Sequence, residues 1–312
     1  MSDPEVSIVI PTYNRSGLLR DAVKSVLQQE CECTFEIVIV DNNSTDDTKT
    51  VVQSLNEEQP GKLNYVVETK QGNAYARNCG VKTAKADIIA FVDDDVTVES
   101  NWLQSLTNVL NSDPQLSFVG GSVLPQWSAA PPSWVTLEHW APLALLDYGP
   151  DELPISGSKP RGLLTANIAF RRNVFDEVGM FSPDLQRVGD GIGSMEDHEF
   201  LLRVCRSGRE GKYLPSMVAQ APVDIGRLTK EYHRRWHTGH GHFYAVMQDP
   251  EWERSKFYLM GVPSHLYKET VTKAVTWLSK ILRGNADAAF ADECRLRFFY
   301  GFYRQRKRQS SK

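Results

Sequence analysis

The segment "DIIAFVDDD", residues 87–95, runs from an apolar stretch into three consecutive aspartates. Residues 88–92 show no polar alternation, which favours a strand buried on both faces of a parallel sheet. Three adjacent carboxylates repel one another unless a positive charge lies nearby. The segment therefore predicts a buried parallel strand whose carboxyl end holds a cation or a basic side chain.

Three more apolar runs precede this one along the chain. They are VSIVIP (6–11), FEIVIVD (35–41) and KLNYVVE (62–68). A stretch with helical periodicity follows each of the four runs: residues 18–27, a helix opened by a capping box at Ser44 and Asp47, residues 73–84 and residues 100–110. Strand followed by helix, repeated four times, predicts a Rossmann-like α/β fold with a mostly parallel central sheet.

Polar residues follow three of the predicted strands. PTYNR (11–15) follows the first strand, Asp41 ends the second, and Asp93 to Asp95 end the fourth. Because the carboxyl ends of parallel strands share one edge of a sheet, these segments are expected to meet in one ligand-binding crevice.

The triple aspartate suits a hard divalent cation, Mg²⁺ or Mn²⁺, held by one or two carboxylates together with oxygens of a substrate diphosphate. The alternative is a solvated turn with one aspartate capping the next helix. A calcium loop is excluded, since DNNSTDDTKTVV (41–52) has Asp46 where the loop needs Gly and Val52 where it needs Glu.

Composition is that of an ordinary globular protein. The 312 residues are 41% hydrophobic and 24% charged, with a net charge of -4, so we expect no nucleic-acid partner. The five cysteines include no CxxC pair, which favours a reducing cytosol. The first residues lack a basic segment followed by a long apolar one, so no signal peptide is predicted.

Four segments taken together resemble an inverting family 2 glycosyltransferase of the GT-A fold. They are SIVIPTYNR, IVIVDNNSTDDT, GNAYARNCGVKTAKADIIAFVDDD and MEDHEF, and the resemblance covers roughly residues 5–240. It implies a catalytic domain at 1–240 and a helical C-terminal extension with a basic tail at 241–312. Within the catalytic domain, 1–122 would form the nucleotide-binding half and 123–240 an acceptor half with a Pro- and Trp-rich excursion.

The resemblance also implies a set of residues that bind the nucleotide sugar. They are Pro11, Thr12, Tyr13, Asn14, Arg15, Asp41, Asn43, Gly72, Arg77, Asp93 and Asp94. Asp41 would accept a hydrogen bond from a uracil-like N–H, or instead cap the helix near Ser44. Gly72 would allow close backbone approach. Arg77 would pair with the diphosphate or with Asp93, or serve the fold alone.

Metal and base follow from the same resemblance. Asp95 would ligate Mn²⁺ or Mg²⁺, and Asp93 would contact ribose or metal. Asp197 would be the general base and Glu196 would orient the acceptor, although acids are common where helices start.

Many relatives carry a further histidine ligand to the metal, yet VAQAPVDIGR (218–227) contains none. A zinc site at His233 and His237 is disfavoured because Arg234 replaces the Glu of HExxH.

The implied reaction moves a sugar from a nucleotide diphosphate to a hydroxyl acceptor with inversion, in cell-surface polysaccharide or glycolipid synthesis. UDP is the expected carrier, with GDP and dTDP open. The alternatives are a non-catalytic module that binds sugar nucleotides or glycans, and a sugar-nucleotide nucleotidyltransferase. The latter needs a Gly-rich basic loop, and PTYNRSG (11–17) is not one.

Two C-terminal patterns and three tryptophans leave their roles open. Five residues, Leu266, Val271, Val275, Leu278 and Leu282, fit one helix face. The tail 295–308 interleaves aromatic and basic residues, which predicts either a peripheral contact with the cytoplasmic membrane face or a last helix that packs its aromatics inward. Trp127, Trp134 and Trp140 would stack on sugar rings or pack in the core.

Overall fold

The computed structural model describes residues 3–186 and 192–310, which form a mixed α/β protein. The strands are β1 (Val6–Thr12), β2 (Phe35–Asp41), β3 (Leu63–Val67), β4 (Ile88–Phe91), β5 (Thr97–Val98), β6 (Leu116–Trp127), β7 (Leu153–Ile155), β8 (Ile168–Arg171), β9 (Glu210–Val223), β10 (Tyr258–Leu259) and β11 (Val262–Pro263). The helices are α1 (Ser16–Leu27), α2 (Thr48–Glu58), α3 (Asn73–Thr83), α4 (Trp102–Ser112), α5 (Asn173–Val178), α6 (Glu196–Arg206), α7 (Lys230–Met247), α8 (Ser264–Leu282) and α9 (Ala286–Ser310).

The central sheet has the order β3-β2-β1-β4-β8-β6-β9-β5, with β7 paired to β9. Its first four strands are parallel, and β1 is fully buried between β2 and β4. The other half is antiparallel: β8 pairs with β4 and β6, and β5 pairs with β9. The predicted Rossmann-like class is confirmed, and the four parallel strands bring their carboxyl ends to one edge.

The start of α2 differs from the capping site that the sequence predicts. The capping box at Ser44 is wrong, because α2 begins at Thr48 after the Asp47 cap. Ser44 instead receives a hydrogen bond at its Oγ from the backbone N–H of Asn14, 3.0 Å away, and donates its own N–H to Asp41. The residues that would cap a helix there are used to hold a turn.

The core beside β4 is built from phenylalanines. Phe91 lies 5.5 Å from Phe181 and 6.2 Å from Phe170, ring centre to ring centre, in edge-on geometry. Phe175 and Phe200 stack with centres 5.1 Å apart. These rings are fully or almost fully buried. Because they pack against β4, the carboxyl end of that strand cannot shift unless the rings repack.

Two compact units make up the chain. One consists of Met1–Gln126, Leu145–Asp184 and Glu196–Pro222, and contains most of the sheet; the other consists of Trp127–Ala144, Leu185–Met195 and Val223–Lys312. In the second unit α7 packs along α9 with the glycines Gly241 and Gly301 in the contact, since a Cβ on either would lie within about 2 Å of the other helix's backbone. The functional boundary at residue 240 stays a prediction.

Four of the five tail aromatics pack inward, whereas Tyr300 is 50% exposed. Phe298 and Phe302 are buried with Ala245, Val262 and Leu266 in the core of the second unit. The structure thus favours the alternative in which the last helix packs its aromatics inward over the alternative in which it offers them to a membrane.

Helix α8 does not present the single apolar face expected of it. Leu266 is buried, but Val271, Val275, Leu278 and Leu282 are exposed. Leu266 precedes Val271 by five residues, which places it on another side of a helix with 3.6 residues per turn. Across residues 3–186 and 192–310, no helix is both long and apolar enough to cross a membrane.

A helical glycine tests how closely α3 packs on β1. A Cβ at Gly80 would lie 2.2 Å from Cγ1 of Val9, whereas nothing lies within 4 Å of a Cβ at Gly17 in α1. Ala normally stabilises a helix over Gly by about 0.5–1 kcal/mol. We expect Gly17→Ala to raise the urea midpoint slightly and Gly80→Ala to lower stability by about 1–3 kcal/mol, because the methyl group overfills the contact. Two variants with equal, raised midpoints would contradict this packing.

Candidate active site

The carboxyl ends of β1 and β4 are joined by hydrogen bonds and ion pairs. The Thr12 hydroxyl donates to Oδ2 of Asp94 at 2.8 Å. The Arg15 guanidinium donates from Nη1 to Oδ1 of Asp94 at 3.1 Å and to Oδ2 of Asp95 at 2.9 Å. PTYNR and the triple aspartate therefore lie next to each other, as the sequence predicts.

Asp94 is the buried member of the three aspartates, with 5% of its surface exposed. Burial raises its pKa to about 6, and the Arg15 charge opposes that rise. Burial would lower the pKa of Arg15, but Asp94 and Asp95 outweigh it and the net shift is upward. The strand end therefore carries more negative charge than one guanidinium balances, which favours a bound cation.

A second arginine, Arg77 of α3, links the triple aspartate to the start of α6. Its Nη1 donates to Oε1 of Glu196 at 2.9 Å and its Nη2 to Oδ1 of Asp93 at 3.1 Å. Arg77 and Glu196 are almost fully buried. Burial would lower the pKa of Arg77, yet the charges of Asp93, Glu196 and Asp197 raise it overall. The guanidinium thus stays charged and holds both segments.

The first turn of α6 carries Glu196, Asp197 and Glu199. Glu196 points into the interior at Arg77, whereas Asp197 is partly exposed. Oδ1 of Asp197 accepts the backbone N–H of His198 at 2.8 Å. That bond holds the carboxylate at the positive N-terminus of α6, on the partly exposed side of the helix start.

Asp41 is buried at the end of β2 with both carboxylate oxygens engaged. Oδ1 accepts the N–H of Ser44 at 2.8 Å, and Oδ2 accepts the Tyr65 hydroxyl at 2.5 Å. Burial first, and then this hydrogen bond, raise the pKa of Tyr65. Each oxygen keeps a lone pair for a ligand. Sequence reasoning missed Tyr65, which lies on β3 two residues before the end of the strand.

Two asparagines shape the turns next to Asp41. Asn14 and Asn43 have positive φ angles of 52° and 72°, which Asn adopts more readily than other residues with a side chain. The side-chain Oδ1 of Asn14 accepts the N–H of Thr45 at 2.7 Å, and the side-chain Nδ2 of Asn43 donates to the backbone carbonyl of Thr69 at 3.0 Å. Within the predicted donor site, Asn14 and Asn43 therefore form the turns that follow β1 and β2.

Asn42 is a further site residue that the sequence did not single out. Its amide donates to the carbonyls of Glu68 at 2.9 Å and Lys70 at 2.7 Å, and its Oδ1 accepts the N–H of Gly72 at 2.7 Å. Gly72 has φ 141°, a conformation few residues with a side chain adopt. A buried asparagine beside Asp41 fixes the backbone that precedes α3.

The other predicted donor residues lie at the same edge. Pro11 is in β1 opposite Val40, and Tyr13 beyond the strand has 47% of its surface exposed. A Tyr ring left this open at a strand end offers a face for stacking.

His233 of the second unit sits in an aromatic environment. His233 is fully buried against Trp134 and Phe290, and burial lowers its pKa to about 4. Trp134 therefore packs in a core. Within 3–186 and 192–310, no group of three or more His, Cys, Asp or Glu side chains is arranged to hold a metal. Arg234 pairs with Glu293 at 2.6 Å.

The donor set of the strand end fits a hard cation that shares its shell with a substrate. Asp93 and Asp95 supply carboxylate oxygens, and their charge is in excess of the two arginines once Asp94 and Glu196 are counted. Mg²⁺ and Mn²⁺ commonly take one or two carboxylates and fill the shell with water and phosphate oxygens. A site of that kind needs no third protein ligand.

Comparison with known proteins points in one direction. The profile of glycosyl transferase family 2 matches residues 7–179, more than half of the chain. A glucosyl-dolichyl phosphate glucuronosyltransferase of Haloferax volcanii is 29% identical over 60% of this chain and 58% of its own length. A GalNAc(5)-diNAcBac-PP-undecaprenol beta-1,3-glucosyltransferase of Campylobacter jejuni is 36% identical over 35% of each chain.

Solved structures share the fold. A Pyrobaculum calidifontis mannosyltransferase in complex with GDP-Man and Mn²⁺ superposes with a TM-score of 0.58 at 21% identity, over 80% of this chain and 66% of the other. Staphylococcus aureus TarS 1–349 in complex with UDP gives 0.56 at 17% identity, over 96% and 91%. The match spans less than two thirds of either curated relative named above.

The raised pKa of Asp94 makes stability depend on pH. In the folded protein Asp94 titrates at about 6, against an ordinary value of 3.8, so the folded state binds more protons between these values. Stability therefore falls as pH rises through that window, by up to about 3 kcal/mol. In urea unfolding without metal or nucleotide, Asp94→Asn should be stabilising at pH 8 and close to neutral at pH 4.

The exposed Asp21→Asn on α1 is the matched control, and its difference from the native chain should change little with pH. An Asp94→Asn variant that is as destabilised at pH 8 as at pH 4 would contradict the charge excess at the strand end.

Proposed function

The chain belongs to glycosyltransferase family 2 and has its GT-A fold, and we propose that it is a metal-dependent, inverting enzyme that uses a UDP-sugar. The observation that carries the proposal is the Arg77 bridge. A single buried guanidinium joins Asp93, at the expected donor site, to Glu196, beside the expected base. The two halves of a displacement reaction are thereby held in one frame.

The reaction we propose is a single displacement. The oxygen of an acceptor hydroxyl attacks the anomeric carbon from the face opposite the diphosphate, a new C–O bond forms, and the bond to the diphosphate oxygen breaks. The hydroxyl proton passes to the Asp197 carboxylate. Asp197 suits this task because it is partly exposed in the first turn of α6, where an acceptor hydroxyl would reach its carboxylate. Inversion at the anomeric carbon follows from attack on one face.

Glu196 acts in this proposal as a positioning residue. It is buried on Arg77, and its neighbour Asp197 is thereby fixed relative to the aspartates of β4. Because the charge of Arg77 stays in place throughout, the distance between base and donor does not depend on a mobile side chain.

The donor site in this proposal is the edge formed by β1, β2 and β4. Asp41 would accept the uracil N–H, Tyr13 would stack on the base, and the turns at Asn14 and Asn43 would surround the ribose. The backbone at Gly72 would approach the diphosphate. Support comes from the hydrogen bonds that Asn42 and Tyr65 make to these segments, since they fix the edge before ligand binds.

Arg15 is placed to respond to donor binding. It lies across Asp94 and Asp95, with 37% of its side-chain surface exposed. A divalent cation held by Asp95 and Asp93 would neutralise charge that develops on the leaving diphosphate. Arg15 would then be released toward the phosphates, where a guanidinium binds well.

The acceptor class we propose is a lipid-linked sugar or a polysaccharide end. The relatives from Haloferax and Campylobacter are named for dolichyl phosphate and undecaprenol diphosphate substrates, and a Pasteurella multocida chondroitin synthase is 32% identical over 37% of this chain. Residues 1–122 would bind the nucleotide and 123–240 the acceptor.

The first experiment screens UDP-, GDP- and dTDP-sugars for hydrolysis and for an increase in the melting temperature of the protein. Stabilisation by GDP-sugars alone would overturn the UDP assignment.

Metal binding is tested at Asp95. Asp95→Asn replaces a charged ligand by a neutral amide, so Mn²⁺-dependent binding of UDP should weaken by at least about tenfold. Calorimetry with UDP, with and without Mn²⁺, measures it. The control is Asp87→Asn, an exposed aspartate at the opposite end of β4, which should bind like the native chain. UDP binding that is the same with and without Mn²⁺ in the native protein would disprove the metal site.

The base is tested at Asp197. Asp197→Asn keeps the shape but accepts no proton, so sugar transfer should fall about 10²–10⁴-fold while donor affinity stays unchanged. Asp176→Asn, an exposed acid in the first turn of α5, is the matched control. If Asp197→Asn weakens donor binding as much as turnover, Asp197 belongs to the donor site instead. A native chain that binds donors without any turnover would support a binding module.

A further inference from the structure

Helix α8 has its charged and apolar sides reversed relative to an ordinary surface helix. Its inner side carries Lys273 and Lys280, which bind the buried carboxylate of Asp292 on α9 at 3.2 and 2.6 Å. Its outer side carries Val271, Val275, Leu278 and Leu282, which are between 50% and 79% exposed. Soluble helices bury their apolar stripe and expose their charges. An apolar stripe held outward by ion pairs on the inner side indicates a surface that meets something else.

The apolar stripe is regular. Its four residues follow one another at intervals of four, three and four, which keeps them on one face over three turns of helix. The residues of this face that lie between them, such as Ala274, are small or apolar as well. The stripe is therefore a continuous apolar line and not a scatter of single side chains.

A hairpin extends the stripe at its N-terminal end. The segment Phe257 to Met260, which is β10 with one residue on either side, is termed the tip of the β10–β11 hairpin, and all four of its side chains are about half exposed or more. The Tyr267 hydroxyl donates to the Leu259 carbonyl at 2.9 Å, and the Tyr303 hydroxyl contacts Sδ of Met260 at 3.2 Å. Tyr267 precedes Val271 by one helical turn, so tip and stripe adjoin. We call residues 257–260 with the four stripe residues the α8 surface.

Basic residues surround the α8 surface. Lys256 precedes the tip, Lys268 lies beside the stripe, and Arg283 follows its last residue; all three are exposed. The end of α9, with exposed Lys307 and Arg308, comes near the tip, because Oγ of Ser310 lies 3.0 Å from where a Cβ of Gly261 would be. Residues 251–312 contain 13 Lys and Arg against 6 Asp and Glu, whereas the whole chain is at -4.

We propose that the α8 surface docks on an anionic membrane surface, with α8 lying in the plane of the headgroups. Apolar side chains of the stripe and the tip would enter the boundary between headgroups and acyl chains, and the flanking Lys and Arg would contact lipid phosphates. Phe298 and Phe302 of α9, which belong to the tail that the sequence pattern offered for this task, stay in the core.

A second copy of the chain fits the same surface less well. Valine and leucine at these intervals can pair two helices. Pairing would, however, bring two strongly basic segments together, and like charges at an interface oppose association. The same charges favour a leaflet that carries anionic lipid. The membrane is therefore the occupant that both the apolar stripe and the charge support.

The test is flotation of the full chain with vesicles that carry no sugar nucleotide or acceptor. The native protein should float with vesicles containing phosphatidylglycerol, float much less with phosphatidylcholine alone, and be partly released at 1 M salt, where screening is nearly complete beyond about 3 Å. Because no substrate is present, the outcome does not depend on the proposed reaction.

Two sets of variants separate the contributions. Val275→Gln with Leu278→Gln should lower the bound fraction by about tenfold or more, since the apolar anchor is lost. Lys256→Gln, Lys268→Gln and Arg283→Gln together should remove the preference for anionic lipid. Leu18→Gln, at an exposed leucine of α1, is the control and should float like the native chain. These sites are exposed, and thermal unfolding checks that each variant folds.

Light scattering after size exclusion gives the competing outcome. In that outcome the native chain is a dimer that the double variant Val275→Gln, Leu278→Gln converts to a monomer. If that dimer also fails to float with anionic vesicles, the α8 surface is a self-association face and the membrane proposal is wrong. Failure of the native protein to float with anionic vesicles overturns the proposal in any case.

Discussion

The Arg77 guanidinium is the charge on which the organisation of the candidate site depends. It is buried between Asp93 and Glu196, two carboxylates that are far apart in the chain. A buried ion pair contributes little net stability by itself, but loss of one partner strands the others in a medium of low dielectric. This asymmetry makes the bridge a strong constraint on geometry: α3, β4 and α6 cannot move apart without leaving a charge uncompensated.

The same edge of the sheet carries more acid than base. Arg15 and Arg77 face Asp93, Asp94, Asp95 and Glu196, and the pKa of Asp94 rises to about 6 as a result of its burial. An excess of carboxylates with one partly exposed arginine suits the site of the proposed reaction, because a cation would offset the carboxylates and the arginine would meet a diphosphate.

In the second unit, several polar and aromatic side chains are buried while apolar side chains of α8 are exposed. His233 and Trp134, whose residue types suit a metal ligand and a sugar platform, pack in an aromatic core where His233 stays neutral. The unit's valines and leucines on α8 lie outside, while lysines bind Asp292 inside. Residue type alone therefore assigns these side chains to the wrong environment, because the packing of α8 on α9 decides which side of the helix faces water.

The sequence alone determined the parallel strands, the helices between them and the meeting of PTYNR with the triple aspartate, because each follows from local periodicity and from the common edge of parallel strands. Only the tertiary structure decided the partners. The local sequence does not predict that Arg77 pairs with Glu196, that Tyr65 donates to Asp41, or that Asn42 holds the loop before Gly72. Such contacts depend on distances between segments that helical and strand periods do not encode, and the same is true of the side of α8 that faces outward.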